Sequence, residues 1–320
     1  MHFQFSEEHL MIQKAARDFA VNECLPGVIE RDEHQRFPHD QVMQLADLGF
    51  MGMMVSPGYG GAGMDTISYV LAMEEISKID ASVSVCMSVN NSLVTWGLDK
   101  YATEEQKQKY LVPLAQGKKD GQLYIGAFLL SEPEAGSDAT SQHTTAIDMG
   151  DHYLLNGTKN WITNGSSASV YLVMAQTDAS KGSHGINTLI VEKHWPGVTV
   201  GAKENKLGIR GSDTHSISFN DVKVPKENRI GEDGFGFKFA MKTLAGGRIG
   251  IASQALGIAS GSYELSLKYS KERKAFGKEI MHHQAIQFKL ADMATRIEAA
   301  RMLCLKAAWE KDNGIDYTLS

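Results

Sequence analysis

Apolar residues at Leu10, Ile12, Ala15, Ala16, Phe19 and Ala20 recur at the helical period behind Ser6, whose hydroxyl can cap a first turn. Pro38 can open a second run through Val42, Leu45 and Leu48 to Gly49. Thr103-Glu104-Glu105-Gln106 has the capping-box pattern and predicts a further helix, stopped before Pro113. Ser82-Val83-Ser84-Val85-Cys86-Met87-Ser88-Val89 interrupts the series, because it alternates with period two and reads as a strand. From about Gly121 the texture changes. Residues 124–130, 170–174 and 188–191 are short β-rich runs, with Asn156-Gly157, Asn164-Gly165 and Pro196-Gly197 as turns. Such runs without intervening helices predict an antiparallel sandwich or barrel near 122–232. Beyond Gly236 the helical period returns in two long segments, about 237–272 and 282–312. They form half a bundle, and each needs partners to bury its stripe.

Composition narrows the class. A chain of 320 residues that is 42% hydrophobic and 22% charged can bury more than one core, and the balance excludes disorder as the dominant state. No window approaches eighteen consecutive apolar residues, so no membrane-spanning helix is expected. The N-terminus, Met1-His2-Phe3-Gln4-Phe5-Ser6-Glu7-Glu8, has neither a basic nor an apolar signal region, which argues against secretion. Cys24, Cys86 and Cys304 lie far apart with no metal-binding spacing, which suits a reduced compartment and argues against a structural metal. The net charge is −6, yet Lys and Arg outnumber Asp and Glu over 236–320. That balance argues against nucleic acid and leaves two readings of the basic segment: a site for a small polyanion, or a solvated helix face.

Gly58-Tyr59-Gly60-Gly61-Ala62-Gly63 matches the glycine pattern of a dinucleotide-binding loop. Pro57 stands directly before it and no strand–helix–strand alternation follows, so a tight glycine-rich turn is the better reading. No nucleophile elbow, zinc-protease motif or phosphate-binding loop is present. His282-His283 do not share a helix face and read as solvated. Three segments remain. In the first, an apolar strand runs through Phe128 and Leu130 into Ser131-Glu132-Pro133-Glu134-Ala135-Gly136-Ser137-Asp138, whose hydroxyls and backbone N–H groups could hold an anionic or carbonyl-rich ligand. In the second, Trp161-Ile162-Thr163-Asn164-Gly165 puts a planar ring beside a hydroxyl at a strand end. The third is Arg273-Lys274-Ala275-Phe276-Gly277-Lys278, followed by His283-Gln284.

Together with Asn160, Lys206-Leu207-Gly208-Ile209-Arg210 and Gly246-Gly247-Arg248, these segments make the whole chain resemble the acyl-CoA dehydrogenase flavoprotein family, most closely its short-chain or butyryl-CoA branch. The resemblance implies an α+β multidomain fold: an all-α N-terminal domain (1–121), a β-barrel middle domain (122–232) and an incomplete C-terminal helical bundle (233–320). It also makes 82–89 helical. FAD is the implied cofactor, contacted by Phe128, Leu130, Ser131, Gly136, Ser137, Trp161, Ile162, Thr163 and Phe276, and by Arg273 and Gln284 of a neighbouring copy, with a dimer of dimers expected. Acyl-CoA would contact Ser137 and the turn Ala245-Gly246-Gly247-Arg248, although relatives often carry Asp where this chain has Ala245. The implied reaction is α,β-dehydrogenation to a trans-2-enoyl-CoA, with electrons passed to an electron-transfer flavoprotein, in the bacterial cytoplasm or the mitochondrial matrix. Its base is a Glu with a pKa raised in a dry site. In most of the family that Glu lies beyond the position of residue 320. A minority place it where this chain has Gly247, and the helical Glu264 and Glu298 fit surface or packing roles better. Two alternatives follow: a non-catalytic remnant that binds acyl-CoA and FAD, or an acyl-CoA oxidase.

The glycine motif and the flavin motifs make opposite predictions. Trp161→Ala or Thr163→Ala should perturb or weaken the bound-flavin spectrum, whereas Gly60→Ala should disturb local folding at most. Loss of nicotinamide binding in Gly60→Ala, beside a normal flavin spectrum in Trp161→Ala, would reverse that assignment.

Overall fold

A computed structural model describes residues 4–319, which form two compact units. One takes residues up to Val28, Asp65–Ser84 and Arg248 onward. Its helices are α1 (Glu7–Phe19), α2 (Thr66–Ser77), the part of α3 (Gly236–Glu272) from Arg248, and α4 (Gln284–Asp312). Ser6 caps α1 as its pattern predicts, with the His9 ring closing the capping box in place of an acid. Helix α2 has eleven of its twelve residues buried between α1 and α4, so its two acids must find partners inside. Glu75 accepts from the Arg17 Nε and Nη2 at 2.9 and 2.7 Å, and Glu74 from the Arg301 Nη2 at 2.7 Å and the Ser260 hydroxyl at 3.2 Å. The Asp312 carboxylate, closing α4, accepts the Thr66 N–H at 2.9 Å and favours the positive end of α2. Gly257 and Gly261 let α3 approach closely: a Cβ on either would stand 2.4 Å from the carbonyl oxygen of Glu74 or of Lys78.

The alternating segment at 82–89 is helical: Ala81–Ser88 continues into the wider turns of Val89–Thr95. Period two misleads here because the segment is buried on all sides, so no polar face marks a helical period. Its hydroxyls are satisfied inside. Ser84 accepts from Ser77 Oγ at 2.8 Å and Gln254 Nε2 at 3.0 Å, and Ser92 donates back to the Ser88 carbonyl at 2.7 Å.

The other unit comprises Ile29–Met64 and Val85–Gly247. Pro38 precedes a helix at His39–Asp47, and Gly49 leaves it with φ +74°. The Thr103 capping box forms, but Pro113 does not stop the helix as expected. It stands in the first turn of Val112–Gln116, where a missing N–H costs little, and the end comes at Gly117 with φ +69°. The glycine-rich stretch is a tight turn, with Gly60 at φ +78° and Gly63 at φ +67°.

Eight strands form one sheet: β1 (Gly126–Leu129), β2 (Thr145–Asp148), β3 (His152–Thr163), β4 (Val170–Gln176), β5 (Ile186–Glu192), β6 (Val198–Lys203), β7 (Thr214–Pro225) and β8 (Arg229–Ile230). Their order is β8-β5-β4-β2-β3-β7-β6, with β1 also on β4. The sheet is not wholly antiparallel, which corrects the expectation from strand spacing. Both β1 and β2 run parallel to β4, because the loop between them leaves and rejoins the same strand. Asn156-Gly157 is not a turn either. It lies within β3 at a bulge, with Gly157 at φ +143° and a Cβ there only 2.5 Å from the Thr144 Oγ1. Val94, Leu98, Tyr110, Leu114 and Phe239 pack with Leu172, Met174 and Ile190 of the sheet in the main core of this unit. Among the described residues, no helix is long and apolar enough to cross a membrane.

Acid should loosen the helical unit. Burial pushes the Glu75 carboxyl up, but the Arg17 hydrogen bond and the charges of Lys78 and Arg17 outweigh it and hold the group below its usual 4.5. The folded state therefore binds fewer protons than the unfolded one, and this contribution is full above pH 4.5 and lost as pH falls through the folded value. Urea midpoints taken between pH 6 and pH 3 should fall more steeply for the parent than for Glu75→Gln; equal slopes would remove Glu75 from the acid response.

Candidate functional site

Strand β3 carries a second bulge near its end. Lys159 pairs with Ile217 and Ile162 with His215, so Asn160 and Trp161 oppose a single residue of β7. Trp161 takes φ +62°, a costly conformation for a bulky residue, and its ring is 62% exposed. The N–H of Asn160 donates instead to the carbonyl of Ser131 at 2.8 Å. Ile162 is buried and Thr163 half-buried, so the strand end sets an open ring beside a hydroxyl-bearing position on a fixed backbone. Asn164 then turns the chain with φ +62°. The buried Asp213 carboxylate holds that turn, accepting the Ser166 N–H at 2.9 Å and the Ser167 N–H at 2.8 Å.

The loop after β1 meets this strand end. Phe128 and Leu130 pack against the core, Ser131 is half-buried, and Gly136 and Ser137 are exposed at the loop's crown. Beneath it lies a buried ion pair that sequence reasoning missed: Lys159 Nζ stands 2.7 Å from Glu132 Oε1, with side chains 0% and 2% exposed. Lys159 also donates to the Leu130 carbonyl at 3.0 Å and Gln142 Oε1 at 2.9 Å. Glu132 accepts the N–H groups of His143 at 2.5 Å and Thr144 at 3.0 Å. Burial pushes the Lys159 ammonium down to about 8 against the pull of Glu132. Burial acts on Glu132 in the opposite sense, but the Lys159 charge and the hydrogen bonds outweigh it and keep its carboxyl below the usual range. The one available signal was a Lys inside a strand with an acid in the preceding motif.

In the helical unit, Arg273, Phe276 and Gln284 come together on a hairpin, Lys274–Ala275 against Lys278–Glu279, and the start of α4. Phe276 and Gly277 make its two-residue turn with φ +52° and +77°, which leaves Phe276 96% exposed, its ring in edge contact with His283 at 5.9 Å. Arg273 is exposed, and Gln284 opens a helix of 29 residues whose N-terminal N–H groups attract anions. Ala245, Gly246, Gly247 and Arg248 are consecutive inside α3, which corrects the turn expected there. Gly247 is pressed against Leu93: a Cβ would stand 2.7 Å from its Cδ2.

An exposed planar ring at a strained bulge beside an open loop suits the flat head of a large cofactor, and the basic hairpin at a helix N-terminus in the helical unit suits an anionic group. Three matches define the class. Residues 6–118 match the N-terminal domain of the acyl-CoA dehydrogenases, 127–222 their middle domain and 234–318 their C-terminal domain. The chain belongs to the acyl-CoA dehydrogenase family, whose members are FAD-dependent flavoproteins. It is 47% identical to the short-chain specific acyl-CoA dehydrogenase of Clostridium acetobutylicum, across 100% of this chain and 83% of that protein. It is 47% identical to a caffeyl-CoA reductase–Etf complex subunit of Acetobacterium woodii, over 97% of this chain and 80% of that one. The butyryl-CoA dehydrogenase structure from Megasphaera elsdenii superposes with a TM-score of 0.96 at 46% identity, covering 99% of this chain and 83% of that one.

Proposed function

We propose that this protein is a FAD-dependent, short-chain acyl-CoA dehydrogenase that forms a trans-2-enoyl-CoA and passes its electrons to an electron-transfer flavoprotein. The observation that carries the reading is Trp161, held open to solvent at a strained bulge beside Thr163 and the Ser131 loop. FAD, when bound, would supply the two-electron redox chemistry that removes the β-hydrogen as hydride. Phe128, Leu130, Ser131, Gly136, Ser137, Trp161, Ile162 and Thr163 hold it in one copy, and Arg273, Phe276 and Gln284 reach it from a neighbour. The 96% exposure of Phe276 and the open Arg273 support that assignment to another copy. Ser137 and Ala245–Arg248 hold the acyl-CoA, with Arg248 exposed for an anionic group.

Removing the α-proton needs a carboxylate in a dry place and hydrogen bonds to the thioester oxygen as charge develops. Glu264 lies 3.0 Å from Lys78 and is largely exposed, and Glu298 is paired with Arg301. Both side chains are largely open to water rather than in a dry place, so we place the base at neither residue and outside residues 1–320. Anaerobic stopped-flow with butyryl-CoA on residues 1–320 should then leave the flavin band unbleached, and bleaching should return when a C-terminal segment carrying the Glu is supplied. Loss of a general base costs about 10²–10⁴-fold in rate. Rapid bleaching by the 320 residues alone would put the base among the carboxylates present, and reoxidation of reduced flavin by oxygen at turnover rate would favour an oxidase. Arg273→Ala should weaken FAD retention and self-association together, by about 1.5–3 kcal/mol for one charge-assisted contact. Tight FAD binding by a monomer would contradict the shared site.

A further inference from the structure

Lys159 has the environment of a residue kept for geometry. A buried ion pair is often no more stabilising than an apolar pair of the same volume, so burial alone gives no reason for an ammonium and a carboxylate beneath the sheet. What an apolar pair could not do is satisfy the backbone that meets there. Lys159 binds the Leu130 carbonyl and the Gln142 side chain, and Glu132 binds the N–H groups of His143 and Thr144. The two residues thus tie both stems of the loop between β1 and β2 to β3. The anchor lies one residue before the bulge, where the Asn160 N–H holds the Ser131 carbonyl. Loop and bulge are thereby locked to one another from below, while Ser137 and Trp161 stay exposed above.

We propose that Lys159 and Glu132 are positioning residues that set the spacing between the Ser131–Ser137 loop and the Trp161–Thr163 strand end, and so the shape of the surface that receives FAD. The inference rests on the flavin reading above. Neither side chain reaches the cofactor; they act through Ser131 and the bulge. Without them the loop stems lose their anchors and the surface loses its fixed geometry.

A double-mutant cycle separates positioning from mere stability. Lys159→Met, Glu132→Gln and the double variant are made in the full chain, stripped of FAD, and titrated with FAD by flavin fluorescence while urea midpoints are measured on the apo forms. Each single change leaves one buried group without its partner, so both midpoints should fall. The double variant should regain most of the midpoint, yet bind FAD about tenfold or more weakly than the parent, with an altered visible spectrum. Recovery of FAD affinity and spectrum together with the midpoint would reduce the pair to a structural one and overturn the proposal, as would parental FAD binding in the single variants. A parent chain that binds no FAD would overturn the flavin reading itself, and the parent titration, which uses no variant, identifies that failure.

Discussion

An ammonium removed from water must find an acceptor for each of its protons, and Lys159 finds three: a carboxylate, a side-chain amide oxygen and a backbone carbonyl. Two acceptors come from the start of one loop and the third from its end, so satisfying one buried charge fixes the loop's path. Glu132 repeats the logic from the acid side. The adjacent bulge follows from the same junction, since the Asn160 N–H serves the loop instead of β7. Strain at Trp161 is therefore supported from beneath.

The helical unit solves a related problem by other means. Helix α2 is buried almost all round, and its adjacent acids each meet an arginine from a different helix. Removing either arginine would strip a buried carboxylate of its hydrogen-bonded cation, a far larger cost than losing a surface pair. The close passage of α3 at Gly257 and Gly261 leaves no room for side chains there, so register is set by backbone contact as well as by charge.

Chemically, the arrangement divides the work. Flavin chemistry belongs to the cofactor, and on the reading proposed above the chain contributes a platform with hydroxyls and N–H groups, while the basic hairpin serves a neighbouring copy. The Glu264 and Glu298 carboxylates, tied to Lys78 and Arg301, stand open to water, whereas proton abstraction at a thioester α-carbon calls for a carboxylate in a dry site.

Signals that act within a few residues were legible in the sequence. Ser6 and Thr103 capped their helices, Gly60 and Gly63 made a turn, and the ordered motifs from Ser131 to Phe276 were enough to identify the family and its cofactor. Readings failed where long-range packing replaced the local rule. Full burial erased the helical period of 82–89, a bulge absorbed the Asn156-Gly157 pair into a strand, and Pro113 fell in a first turn where it breaks nothing. The Lys159–Glu132 pair lies deepest in this class. Its members are 27 positions apart, and only the pairing of β1, β2 and β3 into one sheet brings a strand lysine beneath the loop. Composition and spacing carry propensity and chemistry, but which polar groups must be satisfied inside is decided by what surrounds them once the chain is packed.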